Sequence, residues 1–145
     1  MLMELAKKAL ASPVVFDTYQ SLIGAPECHR RFIHEMVRPM PGERVLDIGC
    51  GVGASLRYMP DSVDYLGVDI SEAYIARAKS DYGLRGKFIC ADITTLDAGV
   101  LGMFDRAFCF GVLHHLSDAM VAQAVKFVRR VVKPGGIFIS IDPCH

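Results

Sequence analysis

Three alternating glycines, Gly49, Gly51 and Gly53, directly follow a short apolar run and form the most informative motif of the chain. Because glycine tolerates positive φ and carries no side chain, a ligand can approach the main chain closely at such a turn. The next residues, Ala54 to Met59, are predicted to form a helix whose N-terminal amides face the same spot. The motif therefore indicates a binding site for a nucleotide-type cofactor.

Two kinds of cofactor fit the spacing of these residues. Gly49-x-Gly51-x-x-Ala54 satisfies the dinucleotide pattern, and Asp69 follows about 20 residues later, where a ribose-binding acid belongs. Asp47 separates the two possibilities, because it ends the predicted strand two residues before the first glycine and is expected to point towards the turn. A carboxylate there repels a pyrophosphate and attracts an ammonium or sulfonium group. The charge argues against NAD and for a cationic nucleoside.

Five segments with recognisable motifs occur in order along the chain. The first is an acid followed by Gly-x-Gly-x-Gly, complete as Asp47, Gly49, Gly51 and Gly53; the others are Leu66 to Ser71, Cys90 to Ile93, Phe104 to Leu116 and Val132 to Gly136. Together they resemble the class I S-adenosylmethionine-dependent methyltransferases, from the first strand and its loop to the turn entering the fifth strand. The resemblance covers about Arg44 to Asp142, whereas the first forty residues are only loosely similar.

The resemblance implies how the loop and the second strand hold the cofactor. Asp69 would accept hydrogen bonds from the two ribose hydroxyls. The backbone from Gly49 to Gly53, including Cys50 and Gly51, would hold the amino-acid part of S-adenosylmethionine. Asp47 would help to fix the ammonium group of that part, through water or by orienting the loop.

The resemblance also implies an adenine site. Asp92 would accept a hydrogen bond from the adenine amino group, and Ile70 and Ile93 would pack on the faces of the ring. Phe110, at the end of the fourth strand, belongs to the same expected cofactor-binding set. Tyr19 lies in the N-terminal segment that commonly folds over the cofactor in such proteins.

His114 and His115 are the candidates for acid or base catalysis. Histidine titrates near neutral pH, and the loop after the fourth strand lies at the carboxyl edge of the sheet, beside the cofactor. Related small-molecule methyltransferases carry Leu-His-His-Leu at this place without either histidine being a proven base, so positioning or cofactor packing stays open. A metal is not expected, because adjacent side chains diverge and no Cys or carboxylate spacing completes a tetrahedral set.

The predicted function is in-line methyl transfer from S-adenosylmethionine to a small organic acceptor, with S-adenosylhomocysteine as product. Phe110-Gly111-Val112-Leu113 stands where enzymes acting on DNA amines or protein glutamine resemble one another in an Asn/Asp-Pro-Pro-Tyr/Phe motif. That disfavours base-amine methylation and leaves oxygen, nitrogen and carbon acceptors open. The alternatives are a cofactor-binding module or fragment without turnover and, less favoured, an NAD-dependent oxidoreductase.

Strand and helix signals alternate along the chain, as a doubly wound α/β fold requires. Strands are predicted at Arg44 to Ile48, Asp64 to Asp69, Lys87 to Ala91, Phe104 to Phe110 and Ile137 to Asp142, and helices at Leu2 to Leu10, from Pro26 to before Pro39, and at Ala54 to Met59, Ser71 to Tyr82 and Ser117 to Val132. The resemblance implies a Rossmann-like parallel sheet of five strands in the order 3-2-1-4-5, with helices on both faces.

We expect residues 1–42 to form a helical segment capping the cofactor site, and residues 43–145 to form the S-adenosylmethionine-binding core. Proteins that the chain resembles continue beyond the fifth strand with an antiparallel strand pair, which this sequence lacks. A fifth strand left as an exposed edge is prone to pair with another chain. We therefore expect a weakly active fragment that can self-associate through Ile137 to Ile141.

Composition narrows the partners and the location. The 145 residues suit one domain, and 52% hydrophobic residues suit a sheet covered on both faces. Lys plus Arg equals Asp plus Glu at 16 each, so no net field favours nucleic acid or an anionic membrane. Five cysteines without a CxxC pair favour reduced thiols and a cytoplasmic protein.

Overall fold

Five parallel strands form one sheet in the order β3-β2-β1-β4-β5 in the computed structural model, which describes residues 25–142. The strands are β1 (Arg44–Ile48), β2 (Asp64–Asp69), β3 (Gly86–Cys90), β4 (Phe104–Phe110) and β5 (Val132–Ile141). The chain runs outward from β1 to β3 and then returns to the other side of β1. The carboxyl ends of β1 and β4 therefore flank the switch point where ligands bind in such sheets. The predicted fold and strand order are confirmed.

Helices cover both faces of the sheet. Helix α1 (Ala25–Arg31) continues as a π-helical turn (Phe32–Val37), α2 comprises Glu72–Tyr82, and α3 comprises Asp118–Val131. Ser71 and Ser117 cap α2 and α3 by accepting hydrogen bonds from the N–H groups three residues later. The predicted helices of residues 71–82 and 117–132 are confirmed to within one residue, whereas Tyr19 and the predicted helix of residues 2–10 lie outside the described residues.

The predicted helix after β1 is wrong in type. Ala54–Tyr58 forms a short 3-10 helix between Gly53 in a left-handed conformation and Met59 in an extended one. Pro60 explains why the helix ends before Met59, because the residue before a proline is driven out of the α region. Two further 3-10 turns, Ala98–Val100 and Leu113–His115, connect later elements. The turn at Ala54 is too short to supply the helix N-terminus that the sequence suggested would face the cofactor.

Two hydrophobic clusters fill the two faces of the sheet. The first cluster combines Phe32, Ile33 and Val37 of the N-terminal helical segment with residues of β1, β2, β3, β4 and α2, including Tyr65 and Phe108. The second cluster joins the other sides of β1, β2 and β4 to α3 and the Ala98–Val100 turn. The described part of the 1–42 segment therefore shares a core with the sheet rather than forming a separate layer.

Strand β5 is longer and less regular than the sequence predicts. It begins at Val132 instead of Ile137, and its register against β4 breaks between the pairs that involve Phe104 and Arg106. Beyond the break it pairs regularly from Ile137 to Ile141. Within residues 25–142, β5 pairs with β4 alone and forms one edge of the sheet.

No helix in the described part of the chain is both long and apolar enough to cross a bilayer.

Candidate cofactor site

The glycine loop after β1 has packed ends and an open middle. Gly49, Gly51 and Gly53 have φ values of 72°, 53° and 78°, in the left-handed region that favours glycine. A Cβ on Gly49 would clash with the side chain of Val112, and one on Gly53 would lie 2.8 Å from Phe88. A Cβ on Gly51 would meet nothing within 4 Å. Side chains therefore pack against both ends of the loop, while the outer side of Gly51 is free to receive a ligand.

Asp69 ties the end of β2 to the open middle of the loop. Its Oδ2 accepts a hydrogen bond from the Gly51 N–H at 2.9 Å, and its Oδ1 accepts from the Ser71 N–H at 2.8 Å. A carboxylate offers about four lone-pair sites, so acceptor capacity remains for a diol. Asp69 therefore lies beside the glycine loop with the chemistry that a ribose requires.

Asp47 is buried at the end of β1, where it contacts both the first cluster and the turn that follows the glycine loop. It is 2% exposed, its Oδ2 accepts a hydrogen bond from the Tyr65 hydroxyl at 2.7 Å, and it also bonds to Ser55. Burial raises the pKa of Asp47 to about 7, although both hydrogen bonds oppose the rise. These contacts favour a role in orienting the loop. A carboxyl that is partly protonated at neutral pH also repels a pyrophosphate less than the sequence argument assumed.

His29 extends this buried polar network to α1. Its Nε2 lies 2.8 Å from the Ser55 hydroxyl oxygen, and its ring stacks on Phe110 with centroids 4.5 Å apart. Burial, with a smaller contribution from Arg57, lowers the pKa of His29 to about 4, so the ring is neutral at physiological pH. We call His29, Ser55, Asp47 and Tyr65 the polar network.

The predicted adenine-binding residues lie at the ends of β2 and β3. Ile70 is 72% exposed. Asp92 accepts hydrogen bonds from the Thr94 N–H at 2.8 Å and the Thr94 hydroxyl at 2.7 Å, and these bonds lower its pKa. Ile93 is half-buried and packs against the second cluster. Ile70 is thus available to a ligand, whereas Ile93 already has apolar neighbours.

His114 and His115 form part of the 3-10 turn after β4, and Asp142 faces them from the end of β5. Asp142 Oδ1 lies 3.1 Å from the backbone nitrogen of His114 and 3.0 Å from its Nδ1. The two imidazole rings lie 3.8 Å apart, and burial followed by the neighbouring His114 lowers the pKa of His115. The two histidines therefore differ, because His114 is held by a carboxylate.

Sequence reasoning missed His29, Ser55, Tyr65 and Asp142. Helical spacing offered a signal for His29, because it lies three and four residues before the buried Phe32 and Ile33. Tyr65 and Asp142 become visible only once the sheet is known, since β1 and β2 set Val45 opposite Tyr65 and β5 lies beside β4. Ser55 lies in the 3-10 turn after the glycine loop, so neither signal reveals it. No group of three or more His, Cys, Asp or Glu side chains that could hold a metal occurs among the described residues.

The fold and this site define a Rossmann-like domain with a nucleoside-binding loop at its switch point. Residues 45–136 match a family model described as "Methyltransferase domain". The chain belongs to this family, the S-adenosylmethionine-dependent methyltransferases of class I. The open space at Gly51 and the carboxylate of Asp69 fit S-adenosylmethionine, the cofactor of the family.

Individual relatives agree with this assignment. The chain is 31% identical over 121 residues to an uncharacterised methyltransferase of Synechocystis sp., covering 83% of this chain and 56% of the relative. It is 32% identical over 142 residues to the 2-methyl-6-phytyl-1,4-hydroquinone methyltransferase of the same organism, covering 90% of this chain and 41% of the relative. The chain thus spans about half the length of these relatives.

A solved structure shares the fold. The S-adenosylmethionine-dependent methyltransferase from Clostridium acetobutylicum superposes with a TM-score of 0.73 at 24% identity, over 86% of this chain and 54% of that one.

Proposed function

We propose that this chain is the cofactor-binding core of an S-adenosylmethionine-dependent methyltransferase that acts on a small organic acceptor. The observation that carries the proposal is the glycine loop, open at Gly51 between two packed glycines, with Asp69 beside it. When bound, the cofactor supplies an electrophilic methyl group on a sulfonium. Most acceleration of such a displacement comes from alignment, so the task of the protein is chiefly to hold two molecules in place.

We assign the parts of the cofactor to the site as follows. The backbone from Gly49 to Gly53 holds the amino-acid part, and Asp47 orients the loop from its buried position at the end of β1. Asp69 accepts from the ribose hydroxyls. The adenine amino group and ring are assigned to Asp92, Ile70 and Ile93. Phe110 and Tyr19 complete the set, and stacking of His29 on Phe110 supports a capping role for the N-terminal segment.

A small organic acceptor is supported by two independent observations. One relative is named a methyltransferase of a substituted hydroquinone. The segment Phe110-Gly111-Val112-Leu113 carries none of the paired prolines expected of base-amine enzymes. A cytoplasmic location is likewise part of the proposal, supported by the free thiols of Cys50 and Cys109 in buried positions.

Calorimetric titration with S-adenosylhomocysteine and with NAD tests cofactor choice. We expect binding of the first only, and Asp69→Asn should weaken it roughly tenfold to a hundredfold, because a ribose diol loses a charged acceptor worth about 1–3 kcal/mol. Asp64→Asn is the matched control, since Asp64 begins the same strand at the opposite edge and pairs with Arg44. Equal affinity of the Asp69 and Asp64 variants would remove Asp69 from the site.

Turnover is tested separately from binding. Transfer of a labelled methyl group to hydroquinone, catechol and amine acceptors should survive EDTA, because the proposed mechanism uses alignment rather than a Lewis acid. Loss of transfer in EDTA that one divalent metal restores would overturn that mechanism. Cofactor binding without transfer to any acceptor would favour a binding module, and light scattering tests self-association through β5.

A further inference from the structure

Asp142 and His114 make a double contact at the carboxyl edge of the sheet. One carboxylate oxygen, Asp142 Oδ1, lies within 3.1 Å of both the backbone nitrogen and the Nδ1 of the same histidine. The side chains of His114 and Asp142 are 23% and 20% exposed, so the pair is sheltered without being sealed from solvent. The contact joins the loop after β4 to the end of β5.

This geometry determines which ring nitrogen of His114 carries the proton. A carboxylate can only accept, so the Nδ1 that faces it must be the N–H donor. The neutral ring then has its lone pair on Nε2. The contact between Asp142 Oδ1 and the backbone nitrogen of His114 holds the histidine itself in place. An imidazole held in one tautomer by a carboxylate is the arrangement of a general base.

The ring also lies close to the switch point. A Cβ placed on Gly111, the first residue after β4, would lie 3.8 Å from Cε1 of His114. Gly111 itself is anchored to β5, because its N–H donates to the Ile141 carbonyl at 2.7 Å. His115 is the other titratable group against the ring, and it has no carboxylate contact of this kind.

We propose that Asp142 is a positioning residue that holds His114 with Nε2 free to take a proton from a hydroxyl acceptor. This inference rests on the proposed methyltransferase function and names its acceptor class. The acceptor oxygen forms a bond to the methyl carbon while the carbon–sulfur bond breaks with its electron pair left on sulfur. The hydroxyl proton passes to Nε2, and Asp142 stays ionised beside the imidazolium.

The tautomer of His114 tests the positioning role without any substrate. Long-range ¹H–¹⁵N spectra of histidine-labelled protein, assigned with His114→Gln, should show Nδ1–H in the wild type and a shift to Nε2–H in Asp142→Ala. His34, which is exposed and distant in sequence, serves as an internal reference. An Nε2–H tautomer in the wild type, or an unchanged tautomer in Asp142→Ala, would overturn the proposal.

Transfer kinetics test the acceptor class. With hydroquinone or catechol as probe, His114→Gln should lower kcat about a hundredfold and Asp142→Ala about tenfold or more, both with little change in KM. Asp118→Ala, an exposed carboxylate at the start of α3, should leave the rate unchanged. Transfer only to an unsaturated phospholipid, or to no hydroxyl probe while S-adenosylhomocysteine still binds, would refute the hydroxyl assignment. Failure to bind S-adenosylhomocysteine would instead refute the proposed function.

Discussion

The two faces of the sheet are buried to a similar degree but are built from different chemistry. The second cluster, beneath α3, consists of apolar side chains such as Phe104, Val128 and Val131. The first cluster, beneath the N-terminal helical segment and α2, surrounds a buried carboxyl, two buried hydroxyls and a neutral imidazole. Buried polar groups are costly unless they are paired, and here they pair with one another. The face that supports the glycine loop therefore contains interactions that depend on protonation, and the other face does not.

The largest expected effect lies on the apolar face. Phe104→Ala should lower the free energy of unfolding by about 3–5 kcal/mol, because it leaves a cavity where a fully buried ring packs beneath Arg44. Affinity for S-adenosylhomocysteine should be unchanged, since Phe104 begins β4 at the edge opposite the site. Urea unfolding and calorimetry measure the two quantities. Val100→Ala, at a 73% exposed position, is the control and should change stability by less than about 0.5 kcal/mol.

The second prediction concerns pH and the polar face. The raised pKa of Asp47 contributes stability that is present at acid pH and is lost as pH rises from about 4 through about 7. The lowered pKa of His29 contributes stability that is present above about 6.5 and is lost as pH falls towards about 4. In the wild type, the effects of Asp47 and His29 on the pH dependence of stability therefore have opposite signs. Asp47→Asn should therefore lose on the order of 3 kcal/mol more than wild type between about pH 7 and pH 4.

His29→Asn provides the reciprocal experiment. It removes the loss of stability that His29 causes at acid pH and leaves only the pH dependence of stability due to Asp47. Its unfolding free energy should rise relative to wild type over the same acid range. Parallel pH profiles for wild type and both variants would show that the network does not titrate as its burial requires.

The third prediction concerns the glycine loop, which the first cluster supports. Gly51→Ala places a side chain in a left-handed conformation at a strain of about 1–2 kcal/mol and fills the open middle of the loop. Affinity for S-adenosylhomocysteine should fall by about tenfold or more. Gly42→Ala is a matched control, since Gly42 also has positive φ and open surroundings but precedes β1 at the opposite edge. Both variants should melt lower, and only Gly51→Ala should bind more weakly.

The smallest expected effect concerns the rate at which cysteine thiols are modified and not stability. It tests whether both faces of the sheet exclude solvent equally. Cys50 in the first cluster and Cys109 in the second are buried, and burial raises the pKa of both thiols, that of Cys109 to about 12. Exposed Cys28 and Cys90 should react with a thiol reagent in the native protein, while Cys50 and Cys109 react only after unfolding. Peptide mapping by mass spectrometry identifies the modified residues. Labelling of Cys50 but not Cys109 in the native protein would mean that water enters the first cluster.

The sequence predicted the parts of this molecule that depend on local signals. The bounds of β1, β2 and β4 are confirmed to the residue, because each is a mainly apolar segment followed by a turn. Ser71 and Ser117 marked the starts of α2 and α3 through capping. The glycine loop, Asp69 and the Leu113–His115 turn lie at the carboxyl ends of β1, β2 and β4.

The parts that could not be predicted depend on contacts between distant segments. Tyr65 reaches Asp47 across 18 residues and His29 reaches Ser55 across 26, so neither pairing leaves a trace in local periodicity. Asp142 contacts His114 because β4 and β5 are neighbours, a relation that strand order supplies and residue spacing does not. The hydrogen bond of Asp47 could not be predicted for the same reason, since its partner Tyr65 lies on another strand.

The exposed side chain of Ile70 also has a thermodynamic consequence. A large apolar group that stands 72% exposed at the end of β2 is surrounded by water in the free protein. In the proposed pose an adenine ring covers it, and burial of apolar surface on binding gives a negative change in heat capacity. The enthalpy of S-adenosylhomocysteine binding should therefore become more favourable as temperature rises. Ile70→Ser should flatten that temperature dependence, so the adenine contact can be read from the slope of enthalpy against temperature.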